Sequence, residues 1–179
     1  MRRSSAGGPP RAAVAIELIA SESAPEDLTT VDEIARECFS DGGFSASEEL
    51  SRPWARLWAA RAREGEPLAG FLIAWHVADE LHVLNIATLP AMRRRGIARA
   101  LMDASLSYAS EHKIRIVLLE VRRSNRPAIK LYRGLDFTAL GVRKGYYADT
   151  GEDAIEMILA LDPESGKVRP GRDEIRIDD

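Results

Sequence analysis

Residues 81–121 constrain this chain more than any other stretch. An apolar extended segment (81–89) leads through Arg93-Arg94-Arg95-Gly96 into an amphipathic helical segment (96–111). A second run, apolar on both faces (114–121), follows. That order is a β-α-β unit, whose right-handed crossover makes the two strands parallel neighbours. Strands covered on both faces read as continuous apolar runs, and 114–121 does so. In such a unit the helix start lies at the carboxyl ends of the strands, where ligands bind in open α/β sheets. Gly96 lets backbone approach a ligand closely because it has no Cβ. The first N–H groups of a helix lack internal partners and carry partial positive charge, which suits a diphosphate. Arg93, Arg94, Arg95 and Arg99 add full charges; as a bare pattern they also describe a solvated surface patch.

The rest of the chain fits one mixed α/β domain. Val14–Ile19 reads as a first strand, and 27–39 as a helix with Leu28, Val31, Ile34, Ala35 and Cys38 at helical spacing. A short helix near 47–50 stops before Pro53, and strands at 54–60 and 68–77 flank a turn at Glu64-Gly65-Glu66-Pro67. With 81–89 they form three sequential antiparallel strands. A helix at 128–135 and strands at 138–143 and 154–161 complete the pattern, with a polar loop between the last two. Residues 1–12 are expected to be a flexible tail, 13–162 the domain, and 163–179 a charged tail, peripheral or disordered.

Composition excludes other classes. With 179 residues, 45% hydrophobic and 30% charged, the chain is long enough for a core. A net charge of −3 gives no global attraction to nucleic acid or membrane, so neither is expected as a partner. The arginine cluster also lacks the interleaved aromatic platform of single-strand binders. Cys38 is the sole cysteine and is expected to pack, and His76, His82 and His112 have no ligand spacing, so no metal is expected. Arg2 and Arg3 before the apolar run 12–20 imitate a secretory leader, but Glu17 and Gly7-Gly8-Pro9-Pro10 interrupt it. No run approaches the roughly 20 residues of a membrane span, and a cytoplasmic location is expected.

Several residues converge on the carboxyl end of this sheet: Glu120 at the end of its strand, then Asn125 and Tyr132. Here the chain resembles the GNAT acetyltransferases. Arg93-Arg94-Arg95-Gly96-Ile97-Ala98 matches their acetyl-CoA signature, Arg/Gln-x-x-Gly-x-Gly/Ala. Leu84-Asn85-Ile86-Ala87, Leu119-Glu120-Val121-Arg122, Ser124-Asn125, Ala128-Ile129 with Leu131-Tyr132, and Arg143 with Tyr146-Tyr147 resemble the ribosomal-protein-alanine N-acetyltransferases among them. The resemblance covers 14–161, most strongly 84–157. It implies the GNAT fold, with a splayed parallel strand pair in a mostly antiparallel sheet.

The resemblance further implies acetyl-CoA as cosubstrate. Its pantetheine arm would pair with the bulged strand at Ile86, Ala87 and Thr88, beside Asn125 and Ala128. Its diphosphate would lie on Arg93 to Arg99, Ile97 and Ala98 included. Glu120 would be the base acting through water and Tyr132 the acid, with direct transfer through a tetrahedral intermediate. Asn85, Arg143, Tyr146 and Tyr147 would hold the acceptor. Other readings of these residues stand beside this one: Glu120 pairing with a nearby arginine, Tyr132 as a core aromatic, and Asn125 as a turn residue before Pro127.

The expected acceptor is a protein N-terminus, first of all alanine of a small-subunit ribosomal protein, with the chain a monomer or weak homodimer. The alternatives are a lysine or small amine as acceptor, or an acyl-CoA-binding module without turnover. Deprotonating an α-amine (pKa ~7.8) at pH 7 costs about 1 kcal/mol, against about 4.6 kcal/mol for lysine (~10.4). A single water-relayed glutamate therefore suits the α-amine better. The sequence departs from the family pattern at Ala148, where proline is common, and at Asp136, where glycine is usual. A left-handed Asp136 would cost roughly 1 kcal/mol relative to glycine.

Overall fold

A computed structural model describes residues 14–19, 25–39 and 44–177; the expected tail at 1–12 lies outside them. The elements are β1 (Ala15–Ile19), α1 (Pro25–Cys38), α2 (Ala46–Leu50), β2 (Ala55–Arg61), β3 (Leu68–Val77) and β4 (Glu80–Thr88). A 3-10 turn (Pro90–Met92), α3 (Ile97–Glu111), β5 (Ile116–Arg122), α4 (Arg126–Arg133), β6 (Thr138–Tyr147), β7 (Glu152–Leu161) and β8 (Val168–Arg169) follow. The strands form one sheet in the order β1-β2-β3-β4-β5-β7-β6, with β8 also on β7. Among the described residues, only β4 and β5 run parallel. The expected crossover unit is therefore in place.

The sheet is covered on both faces, and strand alternation decides which side chain goes where. Trp58, Leu72, Leu81, Val83, Val117, Leu119, Val121, Ile155 and Met157 join Ile97, Leu101 and Met102 of α3 and Ile129 and Tyr132 of α4. Leu57, Ala59, Phe71, Ile73 and Ala87 join Val31, Ile34 and Ala35 of α1 and Ala46 of α2 on the other face. Each large apolar side chain so buried contributes about 1.5–3 kcal/mol. An exposed pair such as Arg99–Asp103 (3.0 Å) contributes only about 0.3–0.5 kcal/mol. Packing, not surface charge, holds α3 in place.

Two details position the carboxyl end of the sheet. Gly70 of β3 lies under the start of α3, where a Cβ would stand 2.5 Å from the Ala87 carbonyl oxygen and 3.1 Å from Ile97 Cγ2. Its missing side chain is what lets α3 dock so closely. At the far end of α3, the Tyr108 hydroxyl accepts from Arg56 Nε (2.7 Å) and lies 2.8 Å from His76 Nδ1. The helix is thus seated on β3 at its start and tied to β2 and β3 at its far end.

One expectation changes and others gain detail. Tyr146 and Tyr147 belong to β6 itself rather than to a loop after it. Between Arg143↔Ala154 and Tyr147↔Glu152, β6 has two more residues than β7. Gly145, at φ +60°, helps β6 absorb that surplus by bulging instead of ending. The charged segment after 162 is peripheral but not loose. Beyond β8, the Asp173 carboxylate accepts from the Ala139 N–H (2.8 Å) and Arg133 (2.6 Å), and Ile175 and Ile177 pack on the core. Cys38 is half-buried and donates through Sγ to the Thr88 carbonyl at 3.6 Å. Asp136 does take the left-handed conformation, at φ +67°.

Gly70→Ala is expected to cost about 1–3 kcal/mol through overpacking. A urea unfolding midpoint equal to that of the parent chain would show that α3 has room to move.

Candidate active site

The site begins where β4 and β5 part. Their pairing runs from Glu80↔Ile116 to Val83↔Leu119 and stops. At that point β4 slips by one residue against β3, with Leu84 left between the paired Val83 and Asn85. A one-residue slip reverses the faces of a strand. Val83 and Ile86 consequently both face α3, while Ala87 turns to α1. Beyond the bulge, Asn85, Ile86, Ala87 and Thr88 pair only with β3. Their other edge borders a gap between the strands. Thr88 Oγ1, at the end of this edge, is buried without a hydrogen-bond partner.

The loop after β4 closes one end of the gap. Arg94 is left-handed at φ +62°, and Gly96 at φ +87° caps α3 with no side chain. Gly96 cannot bond the first-turn N–H groups of Ile97, Ala98 and Arg99, which stay available to an anion. A Cβ on Gly96 would meet nothing within 4 Å, so the space before the helix is open. Arg93, Arg94 and Arg95 are exposed around it. Arg93 donates through Nε to the Thr88 carbonyl at 3.4 Å. Arg99 is engaged elsewhere: it donates to Asp103 (3.0 Å) and to the Gly134 carbonyl (3.1 Å), tying α3 to the end of α4.

Glu120, on the stretch of β5 that β4 no longer pairs, and Tyr132 of α4 lie on opposite faces of the sheet. Glu120 alternates with the buried Leu119 and Val121, so it lies on the face away from α3 and α4. Tyr132 belongs to the cluster on the α3/α4 face and is only 4% exposed. Burial, with a smaller contribution from Tyr147, pushes its phenol well above the ordinary value of 10, so it stays protonated. Tyr147 links the two sides, interacting electrostatically with both Glu120 and Tyr132. Burial pushes the Tyr147 phenol up to about 12. The Arg122 guanidinium stacks on its ring at 3.9 Å.

Around Glu120 the structure gathers the expected Arg143, Tyr146 and Tyr147. Arg143 Nη1 is 3.4 Å from Glu120 Oε1, and its guanidinium is 5.6 Å from the Tyr146 ring centre. Tyr146 and Tyr147 meet edge to face at 5.2 Å. Glu120 does pair with an arginine, then, Arg143 of β6. Asn125 caps α4, its Oδ1 accepting from the Ala128 N–H at 3.2 Å, so its carbonyl has a structural task. Asn85 stands next to the bulge.

Two participants escape sequence reasoning. Glu156 accepts from Arg143 Nε at 2.6 Å, yet in the sequence it is one more polar residue in an alternating strand. Arg122 donates to Asp149 (2.8 Å) and Thr150 (2.9 Å) and so clamps the β6–β7 turn. Its place two residues after Glu120 in the strand was the available signal.

Comparison with known proteins agrees with this architecture. The acetyltransferase (GNAT) family pattern matches residues 26–137. A Bacillus subtilis (strain 168) protein, provisionally named a ribosomal protein bS18-alanine N-acetyltransferase, is 34% identical over 139 residues, covering 76% of this chain and 91% of that protein. An N-alpha-acetyltransferase of Saccharolobus solfataricus is 51% identical over 81 residues, 45% of this chain and about half (48%) of that protein. The crystal structure of the Escherichia coli ribosomal-protein-S18-alanine N-acetyltransferase superimposes with a TM-score of 0.71 at 29% identity, covering 83% of this chain and 94% of that one. With its splayed strand pair, glycine-capped helix and a family match over most of its length, the chain belongs to the GNAT family of acetyltransferases.

Proposed function

We propose that this chain transfers an acetyl group from acetyl-CoA directly to the α-amine of a protein N-terminus, with alanine of a small-subunit ribosomal protein as the leading acceptor. The observation that carries this reading is the arrangement of Glu120 and Tyr132 on opposite faces of the sheet, each interacting with Tyr147, with parted strands and an open helix end in the same fold. The relatives' names support the acceptor class.

The residues present fit acetyl-CoA. The edge of Asn85–Thr88 offers backbone groups to an extended pantetheine, as an added strand would use them. Thr88 Oγ1 is a buried hydroxyl in want of a partner beside it. The capless first turn of α3 and Arg93, Arg94 and Arg95 receive the diphosphate, with Ala98 close by. When bound, acetyl-CoA supplies an activated thioester. Glu120 accepts the proton of the incoming ammonium through water. A backbone N–H of the bulged strand, fixed before reaction, stabilises the developing oxyanion. Tyr132, kept protonated by burial, donates to the leaving sulfur. Arg143, Tyr146 and Tyr147 line the approach of the acceptor peptide.

A screen of N-terminal peptides with acetyl-CoA, following free thiol release and mapping the acetyl by mass spectrometry, tests the acceptor. Modification at the α-amine of free but not blocked peptides is expected; acetylation confined to internal lysines overturns the assignment. Glu120→Gln and Tyr132→Phe are each expected to lower kcat by about 10²–10⁴-fold while sparing acetyl-CoA binding. Undiminished turnover in both variants removes their roles. Gly96→Glu places a carboxylate before the helix end and is expected to abolish acetyl-CoA binding with an unchanged circular dichroism spectrum; retained affinity by calorimetry contradicts the binding mode.

A further inference from the structure

We propose that Glu156 is a positioning residue that holds the Arg143 guanidinium off Glu120, keeping Glu120 free to receive the proton of the acceptor amine. The inference rests on the acetyl-transfer reading above.

Glu120 of β5 and Glu156 of β7 are direct cross-strand partners. Like charges so placed repel and cost stability, unless a cation lies between them. Arg143 of β6 is that cation, and it divides itself unequally. Its Nε meets Glu156 Oε1 at 2.6 Å, a charge-assisted hydrogen bond. Its Nη1 stays 3.4 Å from Glu120 Oε1, beyond a good one. The bias is built into β6. At Gly141, beside Glu156, a Cβ would stand 2.8 Å from Glu156 Oε2. The absent side chain gives the glutamate room to lie across β6 toward Arg143.

Two carboxylates sharing one guanidinium leave one negative charge where an ammonium must arrive. The neighbouring cation, Arg122, does not cancel it, being committed to Asp149, Thr150 and Glu152. Among the described residues, two phenols of β6 also meet this cluster, Tyr147 interacting with Glu120 and Tyr146 with Arg143. Among the described residues, Arg143 is the cation seen paired with Glu120, and Glu156 is what restrains it. Without the Glu156 charge, Arg143 would close onto Glu120. The glutamate would become a weaker base, and the net attraction for the acceptor ammonium would vanish.

The test is Glu156→Gln, with pH profiles of kcat and the KM for an acceptor peptide. The acidic limb of kcat is expected to move down by about one pH unit, with kcat at neutral pH about tenfold lower and KM for the peptide raised. Calorimetric acetyl-CoA affinity should not change. In an Arg143→Gln background the same substitution should no longer move the limb, since nothing remains to be restrained. Gly141→Ala, which crowds Glu156 without removing its charge, should shift the limb in the same direction by less. If Glu156→Gln keeps the parent limb and kcat while Glu120→Gln abolishes turnover, the Glu156 role is overturned and the acetyl-transfer reading stands. If Glu120→Gln itself leaves turnover intact, the underlying reading fails instead. A limb shift that persists undiminished in the Arg143→Gln background also overturns the proposal.

Discussion

The parting of β4 from β5 is the constraint on which the rest of this molecule depends. A parallel pair buried between helix layers would ordinarily continue to the end of both strands, satisfying every backbone group. Here a single unpaired residue, Leu84, ends the pairing after Val83. The slip turns Ile86 toward α3 and Ala87 toward α1, so both cores are still filled. It also leaves one strand edge unpaired inside the protein. The end of β5 that carries Glu120 lies beyond that parting, and the chain reaches the open start of α3 directly after the unpaired edge.

The surroundings of the gap are held rigid by ordinary means. Gly70 lets α3 press onto β3 and β4, Arg99 fastens α3 to the end of α4, and Arg122 fastens β5 to the β6–β7 turn. The Ser124 N–H donates to Glu152 at 2.6 Å, which joins the start of the α4 loop to the same turn. Such links order the elements that carry the site, and they explain why so many charged residues near the gap have partners within the protein.

What the sequence disclosed was governed by range. The crossover unit, the glycine at the head of α3 and the places of Glu120 late in β5 and Tyr132 in α4 depend on local patterns: hydrophobic period, a residue without Cβ, positions at element ends. Those were readable. The left-handed Asp136 was raised by family likeness, since relatives usually carry glycine there. The bulge at Leu84 was expected only by family likeness, because register is settled between strands and leaves no mark within one. Glu156 was missed because a strand glutamate alternating with Ile155 and Met157 looks like any solvent-facing residue; its meaning comes from Glu120 and Arg143 on two other strands. Tyr146 and Tyr147 were assigned to a loop because Gly145 and polar neighbours imitate a turn, whereas pairing with β7 carries the strand through it.

The terminal acidic and basic stretch has a consequence beyond packing. β6 is the last strand on its side of the sheet, and an outermost strand exposes a ladder of groups on which another chain can assemble. At Ala139 both are taken, the amide by the Asp173 carboxylate and the carbonyl by the Glu174 amide at 2.9 Å. What composition marks as surplus charge serves as a border guard, stopping the sheet from recruiting a stranger where β6 begins.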